Sequence, residues 1–233
     1  MNKLIIFKLN FRLIMMISVL MGILISSEWI YQADLLDAQM INNQDIKELS
    51  GNVIISKDQI TLTTKKAILY AGSDQLELFG NIIMINNNDT LKCDTLFYFP
   101  DKNNLDYFIA AGHVILLNKD QNIYSDSLYY WSNIDSIYAS GDVVLNDSST
   151  NLHAKSINYW KTDGFYGYSF NAKDSVLINT PDSQIKGGQI IYTDSTQQMS
   201  ILDRASVIRK NQKLVGDTML IQFEDSSINK INI

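Results

Sequence analysis

Two short apolar patterns alternate six times along this chain, with a period of 29 to 33 residues that limits what the chain can fold into. The first pattern centres on a small or polar residue, as in Leu49-Ser50-Gly51-Asn52-Val53, Leu78-Phe79-Gly80-Asn81-Ile82, Ala110-Ala111-Gly112-His113-Val114 and Ala139-Ser140-Gly141-Asp142-Val143. Weaker copies are read at Ala172-Lys173-Asp174-Ser175-Val176 and Asp203-Arg204-Ala205-Ser206-Val207, giving centres at 51, 80, 112, 141, 174 and 205. The second pattern begins at Leu62, Leu91, Ile123, Leu152, Ile185 and Leu214, 11 residues after the matching centre in five copies and nine after in the last. A unit this short cannot bury its own apolar face, so stacked neighbours must share one core.

Each pattern reads as a β-strand. Phe108, Ala110, Gly112, Val114 and Leu116 share one face, as do Ile137, Ala139, Gly141, Val143 and Leu145. A period of two places one face on a core and the other in solvent. The second strand departs from that rule. Counting its first apolar residue as zero, a small residue stands at +2 and apolar residues at +5 and +7, as in Leu91, Cys93, Leu96, Tyr98 and Ile123, Ser125, Leu128, Tyr130. The step from +2 to +5 is odd, so a straight strand would turn half of its apolar side chains outward. A bulge or bend at +3 restores one face, and +3 is Lys65, Asp94, Asp126, Lys155, Gly188 or Asp217. Bends are therefore expected near Cys93–Asp94, Ser125–Asp126 and Ala154–Lys155. Stacked in register, they crease the sheet so that its halves face each other like the covers of a half-open book.

Short polar linkers such as Asn86-Asn87-Asn88-Asp89 and Asn146-Asp147-Ser148-Ser149-Thr150 suit hairpins and exclude helical crossovers. The expected fold class is all-β: a creased antiparallel meander of 11–13 strands built from about six two-strand repeats.

The N-terminus reads as a targeting segment. Lys3, Lys8 and Arg12 precede an apolar run, Leu13–Ile25, shorter than the ~20 residues of a comfortable membrane span. Residues 1–27 are expected to be a signal peptide, or an uncleaved inner-membrane anchor over residues 4–25 if Leu4–Phe7 also counts as apolar. Residues 28–44 are expected to be a linker, and 45–233 the repeat domain. The whole chain carries a net charge of −6; without residues 1–27, 16 Lys and Arg remain against 25 Asp and Glu, a net of −9. That balance disfavours nucleic acid as a partner and gives no attraction to anionic membrane surfaces. The single cysteine, Cys93, allows no intrachain disulfide.

No nucleophile elbow or calcium loop appears, so no catalytic residue, metal site or cofactor is assigned. His113 and His153 fall on polar strand positions and read as surface residues. Tyr98, Tyr130, Tyr159 and Tyr192 recur at +7 and read as strand-end core residues with wet hydroxyls. The best candidate binding surface is the inward apolar set Phe108, Val114, Leu116, Leu128, Ile137, Val143, Leu145 and Ile157. Its bland alternative is a closed core.

The Gly-Asn/Asp-Val strand starts at 51–53 and 141–143, with the bends Cys93-Asp94-Thr95-Leu96-Phe97-Tyr98 and Ser125-Asp126-Ser127-Leu128-Tyr129-Tyr130, resemble the LptA/OstA-like family of periplasmic lipopolysaccharide-transport proteins. The resemblance covers about residues 45–225. It implies a twisted β-jellyroll, open at its ends, whose interior holds lipid A acyl chains. It also implies Lpt-type jellyroll partners, or a second copy of the chain, joined end to end through edge strands in the periplasm. The copies at Asp174 and Ala205 lack the glycine, Pro181 and Gly187-Gly188 loosen the fifth repeat, and an N-terminal anchor would bring the chain closer to the tethered LptC type. The expected edges are the strand around Leu49–Ile55 and the last copy, Leu214–Ile221. The alternative to a lipid carrier is a structural β-solenoid with a closed core that polymerises or adheres; a small outer-membrane barrel and an enzyme fit the pattern less well.

Overall fold

The computed structural model describes residues 29–42, 44–57, 59–100, 107–118, 121–131, 136–161, 168–210, 212–224 and 227–233. The segment read as a signal peptide or anchor lies outside the described residues. Among those described, no helix is long and apolar enough to cross a membrane.

The chain runs through β1 (Ile30–Gln32), β2 (Leu35–Ile41), β3 (Gln44–Lys57), β4 (Ile60–Tyr70), β5 (Gln75–Asn86), β6 (Asp89–Phe99), β7 (Tyr107–Leu117) and β8 (Gln121–Trp131). It continues through β9 (Ser136–Asp147), β10 (Asn151–Lys161), β11 (Tyr168–Thr180), β12 (Ser183–Thr193), β13 (Gln198–Arg209), β14 (Gln212–Glu224) and β15 (Ser227–Asn232). Among the described residues, each strand from β3 to β15 pairs antiparallel with the next, in one 15-stranded sheet that does not close on itself. The expected 11–13 strands fall short because both ends are longer than the repeat suggested. Residues 28–44, expected to be a linker, carry β1 and β2. These pair with β3 on either side of its bend, as Tyr31↔Ile55 and Leu36↔Leu49, and together form one creased half-repeat. The strand around Leu49–Ile55 is therefore not an edge, and neither is β14, which β15 covers.

The odd phase step has a simple origin. Ala110 pairs with Leu128 and Val114 with Ser125, so four steps on β7 face three on β8. One extra residue thus sits on the first strand of each pair, not at +3 of the second as the sequence suggested. The extra length is taken up by two consecutive left-handed residues, Gly112 at φ +78° and His113 at +48° in β7, with the same device at Gly51-Asn52, Gly80-Asn81 and Gly141-Asp142. The +3 residue stands opposite this pair.

The sixth centre also moves. Asp203 at φ +60° and Arg204 at +58° are the left-handed pair, while Ala205 pairs with Gly216 as Val53 pairs with Thr64. The true centre is 203, 11 residues before Leu214 like all the others. Without a glycine to mark the bulge, the sequence pattern had been aligned two residues late.

At most crossings of the crease a glycine on one side makes space. A Cβ on Gly112 would stand 2.8 Å from the Cβ of Asp94, which folds over it from β6. In the last full repeat the roles exchange: Asp203 occupies the bulge, and a Cβ on Gly188 opposite would lie 2.6 Å from that of Asp203. Lys155 and Asp174 face each other with no glycine, and Lys155 turns away to an ion pair with Asp142 on the other neighbouring strand.

Both halves of every full repeat feed one continuous core. Leu49, Ala67, Leu78, Ala110, Leu128, Ile178, Ile190 and Ile221 are fully buried in it. Each such leucine or isoleucine side chain contributes roughly 1.5–3 kcal/mol and each alanine less, so stability comes from the length of the stack.

Candidate functional site

The crease divides the sheet into two walls. One is made of the segments after the bulge in the odd-numbered strands and before the bend in the even-numbered ones; the other is made of the remaining halves. Their inward side chains form three bands that run the length of the stack.

The middle band is aliphatic and holds seven of the eight predicted residues, and Phe108 borders it at the margin of the second wall. Val114, Leu116, Val143 and Leu145 come from the first wall, and Phe108, Leu128, Ile137 and Ile157 from the second. All eight share one interior; Phe108 is half-buried and the other seven are buried, from Leu128 at 0% to Ile137 and Leu145 at 5% exposure. In this structure the two walls close on each other's side chains.

The margin of the second wall is aromatic. Phe108 packs on Tyr130 at 5.1 Å between ring centres, Phe170 on Tyr192 at 5.9 Å, and Tyr192 on Phe223 at 6.1 Å. The +7 tyrosines are thus core residues; Tyr192 also donates its hydroxyl to Asp194 at 3.3 Å, and burial together with that carboxylate pushes its pKa up.

The margin of the first wall is polar. Asn86, Asp89, Gln121, Thr150 and Ser183 lie on the inward face in line with Met84, Leu91, Ile123, Leu152 and Ile185, yet each is buried. Asn118 donates to Asp89 Oδ1, and burial raises the Asp89 pKa against that bond. The sequence pattern did not mark this band, because Asn86, Asp89 and Thr150 fall in segments read as polar linkers. The signal was present: each stands two positions from an inward apolar residue, which in a strand means the same face.

Near the N-terminal end the walls touch. Trp29, beside β1, meets Tyr98 of the opposite wall edge-on at 6.2 Å, and Lys57 lies over the Trp29 ring at 5.3 Å. Lys47 donates to the Tyr31 hydroxyl at 2.9 Å, again from one wall to the other.

The outer side of the crease carries the charged +3 residues. Asp94 pairs with His113 at 2.7 Å and raises its pKa, while Asp34 accepts from Asn52 at 2.8 Å. Both histidines are exposed as expected. Cys93 is buried beside the crease, where desolvation, with a smaller contribution from Asp94, pushes its thiol up to about 12. Among the described residues no group of three or more His, Cys, Asp or Glu side chains is placed to hold a metal ion.

A single inward-facing surface assembled from a bent two-strand repeat is the feature to compare with known proteins. A model of OstA-like proteins matches residues 27–98 and 81–217, together most of the chain. The chain belongs to the OstA-like family. The two matched stretches overlap, as expected where one repeat can be laid on the next. No individual curated protein matches the chain. Membership of the OstA-like family supports a role in lipid or lipopolysaccharide transport, and one of binding rather than catalysis.

Proposed function

We propose that this OstA-like protein is a periplasmic bridge for lipopolysaccharide, holding acyl chains between its two walls and performing no chemistry. The observation that supports this reading best is the unbroken apolar band, running from β3 to β14 and carried by an open sheet. A carrier needs many weak apolar contacts in series, at roughly 0.8 kcal/mol for each methylene buried. Phe108, Val114, Leu116, Leu128, Ile137, Val143, Leu145 and Ile157 are the residues proposed to touch the chains. Partners would be other Lpt-type jellyrolls or a second copy, joined by strand addition at β2 or β15. The first of these edges exposes Leu35 at 63% and Met40 at 70%. Export by residues 1–27, with or without retention as an anchor over residues 4–25, would deliver the protein to the periplasm.

A second reading, a structural repeat protein with a permanently closed core, is favoured by the close packing of the middle band. Native mass spectrometry of the protein purified from its periplasm decides between them. A bound species with the mass of lipopolysaccharide supports the carrier; a protein that stays lipid-free when mixed with lipopolysaccharide supports the closed core.

A further inference from the structure

The polar margin of the first wall poses a physical problem that the carrier reading does not by itself answer. Asp89 is 3% exposed and Ser183 8% exposed, and both face inward. Asp89 Oδ1 is engaged by Asn118, but Asp89 Oδ2 and the Ser183 hydroxyl are buried without a hydrogen-bond partner. A buried polar atom left unpaired costs about 1–3 kcal/mol, more when charged, so folding alone gives no reason to keep either atom there. The asymmetry sharpens the point. The opposite margin, equally close to the strand ends, is closed by aromatic rings such as Phe108, Tyr130 and Phe170. Polarity is therefore not a general consequence of nearness to a turn. On the second wall the buried Ser136 and Ser169 stand beside the inward Ile137 and Phe170 and are hydrogen-bonded, to Tyr159 O and from Asp194 N. The inward polar margin lies on the first wall, at the end of the aliphatic band, where the polar base of a lipid chain would come to rest.

Resting on the proposed lipid-carrying role, we propose that this margin is a selectivity strip for hydrogen-bond donors at the base of the acyl chains, with Asp89 Oδ2 and Ser183 Oγ as acceptors. The complementary ligand group is an O–H or N–H. A carboxylate only accepts, and a hydroxyl can accept as well as donate. Chains that begin with a hydroxyl or an amide N–H satisfy the orphaned atoms. Chains that begin with a plain ester, which has no donor, leave Asp89 Oδ2 unpaired, whereas the Ser183 hydroxyl can turn to donate to the ester carbonyl, so Asp89 carries the discrimination. Five strands lie between Asp89 on β6 and Ser183 on β12, so the strip offers a polar contact at two stations along the path.

The test uses two fluorescent amphiphiles with the same head group and chain length, one joined by an amide and hydroxylated near its base, the other joined by an ester and unhydroxylated. Affinities are measured for the wild type, Asp89→Leu and Ser183→Ala, each first checked for a wild-type β-sheet spectrum and cooperative melting. The wild type is expected to prefer the donor-bearing probe about tenfold, the scale of one net hydrogen bond. Asp89→Leu is expected to lose most of that preference while binding the ester probe as the wild type does, and Ser183→Ala to weaken both probes alike. Asp89→Asn, a small change whose amide offers a donor in place of the free oxygen, is measured in the same way and keeps the test decisive if Asp89→Leu fails to fold; it too should lose the preference. Equal binding of the two probes by the wild type overturns the strip and leaves the carrier reading standing. An undiminished preference in both Asp89 variants overturns the assignment to Asp89. Failure of either probe to bind the wild type overturns the carrier reading, and this inference with it.

Discussion

Asp94 on β6 folds its side chain over Gly112 on β7 and places Oδ2 2.7 Å from Nδ1 of His113. Bulge and charge pair are thus one unit: the glycine makes room for the aspartate, and the aspartate holds the second left-handed residue. The first expected outcome concerns its titration. Asp94, by its hydrogen bond and then its charge, raises the His113 pKa above the ordinary 6.5. A group whose folded pKa is raised adds stability that is fully present below the unfolded pKa and is lost as pH rises through the folded one. The pair should therefore support the crease below pH 6.5 and progressively less above it. Histidine chemical shifts followed by NMR should give His113 a midpoint above 6.5 that falls in Asp94→Asn. An unchanged midpoint in that variant means the pair does not form in solution.

The space rule at the crease gives a double-mutant test. Gly112→Ala should destabilise the protein by about 2 kcal/mol, from left-handed backbone strain and the collision with Asp94. Adding Asp94→Gly should restore about 1 kcal/mol by removing the collision, as Gly188 does opposite Asp203. Chemical denaturation measures both. Strict additivity of the two substitutions would show that the side chain of Asp94 does not constrain position 112.

Val143 is 1% exposed at the centre of the aliphatic band. Val143→Glu should cost about 3 kcal/mol or more, because a lone carboxylate there has neither water nor a partner. Wild-type denaturation by urea in that variant would place the residue on the outside.

Cys93, buried and with its thiol pushed up to about 12, should resist thiol reagents in the native state at pH 8 and react fully once unfolded. Rapid native labelling, followed by a colorimetric thiol assay, would mean that the wall around Cys93 opens readily.

Photoreactive residues at Met40 on β2 and Ile231 on β15 should capture partner chains, while one at Asn122 in mid-sheet should not. These positions replace the edges expected from the sequence alone, since β1 and β2 cover β3 and β15 covers β14. Capture only at Asn122 would exclude end-to-end joining.

What was legible in the sequence was what repeats. Six copies in phase made the strands, the crease and the inward set readable, because period-two alternation and the odd step at +2 to +5 are imposed by burial. For that reason Phe108, Val114, Leu116, Leu128, Ile137, Val143, Leu145 and Ile157 could be read as one inward set, and they lie in one core. What was not legible had no repeat to average over. Asp203-Arg204 adopt the left-handed bulge without glycine, so the sixth centre was misplaced. The strands β1 and β2 together form only half a repeat and carry neither of the two recurring patterns, so they read as linker. Asn86, Asp89 and Gln121 looked like turn residues because their type suggested solvent, whereas their position in the alternation put them inside.

The central claim is that the interior of the sheet, not its surface, meets lipid chains. Photoreactive residues placed one at a time at Leu128 and at its outward neighbour Tyr129, followed by irradiation of living cells, test it most directly. The account predicts lipopolysaccharide adducts at Leu128 and none at Tyr129. Adducts at Tyr129 alone, or none at Leu128, would contradict it.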